Sequence, residues 1–334
     1  MRILNTERIE VPTIEAHSAS VLYHQDQRIL TWFGGYQEGI GCCIYGKVDD
    51  HDIIKIAKPE SAIGNHSNSL WNPVIFEAGG ELLLFYKEGR FCDCWQTIFA
   101  KCAVNNNELK ITGHINLPAG IHASVKTKPY VDGDLLICGS SAETRQDWAS
   151  YTEVFKYNQG ALTLVGKSHP IKNKQGSTKI KGIIQPAIWK EEDTYHMLMR
   201  SSSDSSFIYH SQSSRPNNPV SWSEAAPTNI NNPNSSVDVL QHSNGRLYLI
   251  CNPSATFRDP LSVMQVRIND KHSIMTLDIL DQVDIELEND WLTYYPNART
   301  KELSYPYVIE TPDGNIEIAY TFCRKEIRVT TVQV

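Results

Sequence analysis

The sequence has no long hydrophobic run, no cluster of lysine and arginine, no Cys-x-x-Cys pair and almost no helical periodicity. Each absence closes off a class of protein. A membrane-spanning helix needs about 20 consecutive apolar residues, and no stretch approaches that length. The N-terminal MRILNTERIEVPTIEAHSAS lacks the apolar centre of a signal peptide, so the expected location is the cytoplasm. A net charge of −7 without a basic face argues against a nucleic-acid partner, because phosphate binding depends on concentrated positive charge. The eight cysteines, at positions 42, 43, 92, 94, 102, 138, 251 and 323, often fall within apolar stretches and read as reduced, buried residues. Cys92 and Cys94 have no second ligand pair nearby, so neither a metal site nor a cofactor is expected.

What the sequence does contain is a repeat. The stretch Ile183–Ser202, IIQPAIWKEEDTYHMLMRSS, reads as a polar start at Gln185-Pro186, an apolar strand, a turn at Glu192-Asp193, and a second strand ending on Arg200. The same pattern recurs at His17-Ser18 with a turn at Gln25–Gln27, at Asn72-Pro73 with Gly79-Gly80, and at Lys128-Pro129 with Asp132-Gly133. Two further copies follow, at Ser236–Asp238 with Asn244-Gly245 and at Tyr305-Pro306 with Asp313-Gly314. Gly80 and Gly133 are 53 residues apart, and a period of roughly fifty marks a β-propeller with one blade per repeat. With 334 residues, 41% of them hydrophobic, and no linker interrupting the repeat, residues 1–334 read as a single domain.

Weaker segments supply a third and fourth strand in each blade: Cys43–Val48 with Ile53–Ile56, Ile98–Val104 with Glu108–Thr112, and Glu153–Tyr157 with Leu162–Val165. Later pairs are Phe207–Ser211 with Trp222–Glu224, and Ser262–Ile268 with Met275–Leu280. The sixth repeat is short of a strand, and Ile3–Val11 is the natural donor, because pairing the two ends closes the ring and removes exposed edges. The fold expected is therefore all-β, a six-bladed β-propeller with four-stranded antiparallel blades. Its inner strands begin at His17, Asn72, Lys128, Gln185, Asp238 and Tyr305, and the loops after the second strands carry Glu38, Glu143, Arg200, Arg258 and Arg324. Two polar rings on one axis point to a binding cavity, since buried polar groups without partners cost free energy.

These residues carry a resemblance. AHSASVLYHQDQRILTWFGGYQEG (16–39), NPVIFEAGGELLLFYKEG (72–89), IIQPAIWKEEDTYHMLMRSS (183–202), NNPNSSVDVLQHSNGRLYLICNPSATFRDPLS (231–262) and ELSYPYVIETPDGNIEIAYTFCR (302–324) resemble the sialidase-like six-bladed propellers with BNR or Asp-box repeats. The Asp-box turn itself has decayed, with Ser211 and Trp222 left around an insertion. The resemblance implies a glycosidase that holds a substrate carboxylate with three arginines, whose planar forks match it. It also implies attack by a tyrosine activated by a glutamate. Arg200 and Arg258 match the second and third arginines, Tyr305 matches the nucleophile, and Glu38 lies in the loop of the acid/base.

Two positions depart from that pattern. His17 stands where the first arginine belongs, and Gln185 where the activating glutamate belongs. A neutral amide cannot take the phenol proton. His17 is either a general acid or base or a histidine hydrogen-bonded to a strand end. Arg200 and Arg258 are ligand-binding residues or ion-pair partners. Arg324 offers a replacement third guanidinium, and Glu143 and Asp238, with Lys128, bind substrate or balance charge. Trp32, Trp71, Trp95 and Trp148 offer faces for sugar stacking, with Trp32, inside a strand, fitted to packing between blades. The expected function is an exo-glycosidase acting on an acidic sugar. The alternatives are a uronate-directed lyase using His17 and Tyr305, and a carbohydrate-binding propeller without catalysis.

Overall fold

A computed structural model describes residues 1–60, 68–144, 147–158, 160–173, 182–202, 205–215, 221–269, 276–285 and 301–334. It contains six four-stranded antiparallel sheets arranged as the blades of a propeller. Blade 1 is β2 (Glu15–His24), β3 (Gln27–Gly35), β4 (Cys43–Val48) and β5 (Ile54–Ala57). Blade 2 is β6 (Ser69–Ala78), β7 (Glu81–Gly89), β8 (Gln96–Asn105) and β9 (Glu108–Ile115). Blade 3 is β10 (Tyr130–Asp132), β11 (Leu135–Glu143), β12 (Trp148–Asn158) and β13 (Ala161–Lys167), and blade 4 is β14 (Ile183–Glu191), β15 (Thr194–Ser201), β16 (Phe207–Ser213) and β17 (Ala226–Asn231). Blade 5 is β18 (Asp238–Gln241), β19 (Leu247–Cys251), β20 (Leu261–Asn269) and β21 (Thr276–Ile285). Blade 6 is β22 (Leu303–Glu310), β23 (Ile316–Phe322) and β24 (Glu326–Gln333), completed by β1 (Arg2–Ile9), which pairs with β24 from Arg2↔Gln333 to Ile9↔Ile327.

Local chemistry explains the hairpins. Gln25-Asp26 and Gly79-Gly80 both hold positive φ at the two central residues, as the tightest hairpin turns require. The inner hairpins turn where the sequence places them, at Glu192-Asp193 for example between β14 and β15. The core lies between blades rather than within them. Phe76, Phe85 and Phe99 of blade 2 stack on one another and meet Tyr157 of blade 3, with Phe85–Phe99 ring centroids 4.4 Å apart.

The fourth strand of blade 4 is β17, Ala226–Asn231, rather than Trp222–Glu224. Trp222 leaves the ladder because its indole N–H donates to Thr152 Oγ1 of blade 3 (2.9 Å) and its ring packs there. Ser211 Oγ still donates to Ser223 O (2.8 Å), so the remnant of the Asp-box still fastens β16 to the segment that follows. The insertion between Ser211 and Trp222 runs through residues 216–220, which lie outside the described residues, as does Met275 of the expected last strand of blade 5.

Inner strands share a specific backbone feature. The ladder is interrupted by a two-residue bulge between His17 and Ser20, Trp71 and Val74, Ile184 and Ala187, and Ser304 and Tyr307. Its first residue is left-handed in each: Ser18 (φ 54), Asn72 (φ 44), Gln185 (φ 56) and Tyr305 (φ 55). In blades 3 and 5 the left-handed residues are Ala123 (φ 48) and Asn234 (φ 58). Both lie ahead of the first strand of their blade, outside any ladder. In blade 3 a side chain replaces the missing ladder: Glu153 Oε2 accepts from His122 N (3.0 Å), Ala123 N (2.6 Å) and Ser140 Oγ (3.1 Å).

Lys128 and Asp238 lie elsewhere, in a set of contacts that crosses the propeller axis. Lys128 Nζ of the blade 3 segment donates to Asp238 Oδ2 of blade 5 (2.8 Å) and Val308 O of blade 6 (2.9 Å), and Asp238 Oδ2 also accepts from Val308 N (2.9 Å). The fully buried Lys126 reaches Ala19 O of blade 1 and Pro306 O of blade 6, both at 3.3 Å. Tyr307 Oη of blade 6 donates to Ile75 O of blade 2 (2.7 Å). These side chains close the axial channel directly below the bulges. The sequence places Lys128 at a strand start because Lys128-Pro129 imitates the other X-Pro pairs, whereas β18 does begin at Asp238. The chain before β10 is irregular, and the inner strand of blade 3 begins only at Tyr130.

Burial pulls the Lys126 ammonium down from its usual range to about 7. Between that value and about 10.5 the unfolded chain binds more protons than the folded one, so stability from this group rises with pH across that window. Thermal or urea unfolding at pH 6 and pH 9 should show the wild type gaining on Lys126→Met by on the order of 2 kcal/mol at the higher pH. Equal gains in both proteins would show that Lys126 is buried without this cost.

Candidate active site

The bulges bring their left-handed residues onto one side chain. Arg200, at the end of β15 and 6% exposed, donates from Nη1 to Gln185 Oε1 (3.1 Å) and to Tyr305 Oη (3.0 Å). Its Nε and Nη2 both reach Asn234 Oδ1, at 3.1 and 2.8 Å. Its guanidinium carbon lies 5.5 Å from the Trp148 ring and 5.7 Å from the Tyr305 ring. Every one of these partners is neutral. Among the described residues no carboxylate comes within ion-pair distance of Arg200, so a buried cation is left without a counter-charge. Such an arrangement is costly until an anion arrives.

Asn234 extends the cluster, because its backbone oxygen accepts from Arg258 Nη2 (2.7 Å). Arg258 Nη1 pairs with Glu302 Oε2 (3.3 Å), and Arg324 Nε pairs with Glu302 Oε1 (2.8 Å). Arg324 also pairs with Glu38, whose backbone N–H donates to Glu15 Oε2 (3.0 Å). A continuous network thus links the three arginines through Asn234 and Glu302. Burial and the neighbouring Arg200 pull the Arg258 guanidinium below its ordinary range, and burial does the same to Arg324.

His17 stands beside Tyr305, with ring centroids 4.2 Å apart and the planes tilted by 52°. It is 2% exposed, and among the described residues neither ring nitrogen has a hydrogen-bond partner. Burial first, then the charges of Arg324, Arg258, Lys126 and Arg200, hold its pKa well below the usual imidazole range. The imidazole is therefore neutral at pH 7 and keeps a free lone pair. Gln185 completes the near side: its Nε2 lies 3.4 Å from Glu143 Oε1.

Of the residues singled out from sequence, the structure gathers Arg200, Gln185, Tyr305 and His17 into direct contact and joins Arg258, Arg324 and Glu38 to them through the network. Glu143 is one step removed, behind Gln185. Lys128 and Asp238 engage each other across the axis rather than joining the arginines. Trp32 is fully buried between blades, Trp71 and Trp95 pack on each other, and Trp148 alone of the four stands against Arg200. Asn234 and Glu302 were not foreseen. Asn234 lies in the turn-rich NNPNSS, ahead of β18, and only its hydrogen bonds to Arg200 reveal it.

The fold is a six-bladed propeller in which loops and bulges at one end of the ring bring three arginines into one hydrogen-bonded network. The family model described as BNR repeat-like domain matches residues 28–318, and the chain belongs to that family. No curated protein sequence matches it. Among solved structures it is similar to a protein of unknown function from Dyadobacter fermentans, with a TM-score of 0.70 and 10% identity over 100% of this chain and 99% of that one. It is also similar to Trypanosoma rangeli sialidase, with a TM-score of 0.64 and 11% identity over 99% of this chain and 58% of that one. A Penicillium chrysogenum α-L-arabinanase complexed with arabinobiose gives a TM-score of 0.61 and 12% identity over 100% and 99%. The chain spans little more than half of the trypanosomal sialidase, and identities this low speak for the fold.

Glu302 is 3% exposed and neutralises two arginines. Replacing it with glutamine leaves Arg258 beside Arg200 without its carboxylate and Arg324 with Glu38 alone, and urea unfolding should report a loss of about 3 kcal/mol. A change below roughly 0.5 kcal/mol would mean that water, not Glu302, balances them.

Proposed function

We propose that this pocket takes the carboxylate of an acidic sugar, and that the protein is a glycoside hydrolase releasing such a sugar from the end of a glycan. The observation that carries this reading is Arg200, a buried guanidinium whose partners are all neutral. A planar carboxylate supplies the missing charge, with Arg258 and Arg324 alongside. The contacts of Lys126 and Tyr307 across the axis beneath the arginines support exo action, because they give the site a floor against which a chain end fits. In the hydrolytic reaction Tyr305 attacks the anomeric carbon as its bond to the leaving oxygen breaks, and Glu38, protonated once the substrate carboxylate takes over Arg324, gives that oxygen its proton. Water, deprotonated by Glu38, then cleaves the sugar–tyrosine bond, and the phenol regains its proton. Because Gln185 cannot accept a proton, the neutral imidazole of His17 takes the one released by the phenol.

The same neutral, unpartnered imidazole favours a second reading, elimination at a uronate. There His17 would remove the proton α to the carboxylate, the bond from the neighbouring carbon to the glycosidic oxygen would break, and Tyr305 would protonate that oxygen. An unsaturated uronate, absorbing in the ultraviolet, would be the product.

Purified protein should therefore be incubated with sialosides and with short uronate oligosaccharides, beside Arg200→Met, His17→Gln and Tyr305→Phe. Turnover falling by about 100-fold or more in each variant is the expected outcome, since general acid–base groups alone contribute roughly 100- to 10,000-fold. Absence of both binding and turnover with every acidic sugar would sink the proposal. The pH profile provides a second check. A base whose pKa is lowered stays unprotonated in mild acid, so the acidic limb of kcat/KM should fall below pH 6.5, and His17→Gln should remove it.

A further inference from the structure

Glu38 sits on a loop with little of its own to fix it. Between β3 and β4 the chain takes positive φ at Gly39 (82) and Gly41 (65), and the side chains of Tyr36 and Ile40 are exposed. Glycine leaves such a loop more backbone freedom than any other residue. Two of the loop's own bonds, from Ile40 N (2.8 Å) and Cys42 Sγ (3.3 Å), converge on Gln37 O. The turn facing the loop is tighter. Cys323 (φ 49) and Arg324 (φ 57) are its central residues, Lys325 N closes it on Phe322 O (2.9 Å), and Arg324 O accepts from Ala16 N of blade 1 (3.1 Å).

Glu15, the first residue of β2, bridges turn and loop. Its side chain is buried, at 5% exposure. Oε2 accepts from the backbone N–H of Glu38 (3.0 Å), and Oε1 lies 3.6 Å from Lys325 Nζ. The Glu38 carboxylate pairs with Arg324, the neighbour of Lys325. Two adjacent residues of one turn thus face two carboxylates, and one carboxylate grips the backbone of the other. Lys325 is beyond hydrogen-bond distance, so of these two contacts the tighter is the one to Glu38. Glu15, His17, Glu38 and Arg324 line one narrow hollow.

We propose that Glu15 is a positioning residue for Glu38, fixing the blade 1 loop so that the Glu38 carboxyl meets the departing oxygen of the glycosidic bond. This rests on reading Glu38 as the acid of a glycoside hydrolase. In this structure Arg324 also holds Glu38, but a substrate carboxylate that takes over Arg324 removes that restraint just when the proton has to be given. A hold on the backbone survives the exchange and leaves both oxygens of Glu38 to the chemistry. Proton transfer needs hydrogen-bond reach, and misplacing a group by about 1 Å costs on the order of 100-fold.

Glu15→Gln keeps an acceptor for the Glu38 N–H, whereas Glu15→Met, of similar bulk, has none. Both would be compared with the wild type on methyl and 4-nitrophenyl glycosides of N-acetylneuraminate and of glucuronate, with thermal unfolding alongside. Methanol leaves only with a proton, 4-nitrophenolate leaves without one, and kcat/KM reports the step in which that bond breaks. For whichever sugar the wild type releases, Glu15→Met should lower kcat/KM about tenfold or more on the methyl glycoside and less than about threefold on the 4-nitrophenyl glycoside. Glu15→Gln should stay within about threefold of the wild type on both. Should Glu15→Met not fold, Glu15→Asp, which withdraws the acceptor by one methylene, takes its place with the same expected split. Equal loss on the two glycosides would overturn the proposal and leave Glu15 a structural residue, and so would an undiminished rate on the methyl glycoside. In either case the acidic-sugar reading stands. If the wild type releases neither sugar, that reading fails and this inference fails with it.

Discussion

Contacts across the propeller axis are the constraint on which the rest of this structure depends. Each blade is a self-contained meander, and neighbouring blades meet through apolar faces that would tolerate small rotations. Lys126, Lys128, Asp238 and Tyr307 remove that freedom by tying blades 1, 2, 5 and 6 to one another and to the segment before β10. Groups on different blades can be held to fractions of an ångström only if the blades themselves are fixed, and catalysis depends on that precision. Arg200, Asn234 and Tyr305 come from three blades, yet they meet within ordinary hydrogen-bond distance.

The bulges turn this rigid ring into a pocket. A regular inner strand would bury its side chains alternately in the two blade interfaces and present little to the axis. Two residues set against one on the partner strand, the first left-handed, break the alternation at one level in four of the blades. The side chains released are His17, Gln185 and Tyr305 with their neighbours, and in blade 5 the left-handed Asn234 does the same outside any ladder. Polar chemistry is thus confined to one storey of the channel, with apolar packing around it and a charged floor below.

Much of this was legible in the sequence because it depends on local rules. Turns such as Gly79-Gly80 and Asp313-Gly314 marked the hairpins, and their spacing marked the blades. The shortage of one strand in the last repeat pointed to Ile3–Val11, and β1 pairs there. The order of Arg200, Arg258 and Tyr305 followed from the resemblance. Local rules failed where a side chain replaces the ladder. Glu153 holds the chain at Ala123 without a strand, and the inner strand of blade 3 begins at Tyr130 rather than at Lys128. Asn234 hid in a run of turn-forming residues, and Glu302 has meaning only beside Arg258 and Arg324, two partners distant in sequence. Hydrogen-bond partnership across blades leaves no local trace.

The pairing of β1 with β24 sets the timetable for the whole molecule. Arg2 and Gln333 are 331 positions apart, while every other blade is built from consecutive hairpins. Contacts so far apart in the chain form late, because their loop-closure entropy has to be overcome first. Until that seam shuts, blade 6 has an open flank and blades 1 and 6 stand as two ends of an arc, each ready to pair with a second molecule. The seam is therefore where crowding, slow synthesis or a truncated strand would be felt first, as misassembly between chains rather than as a defect in the pocket.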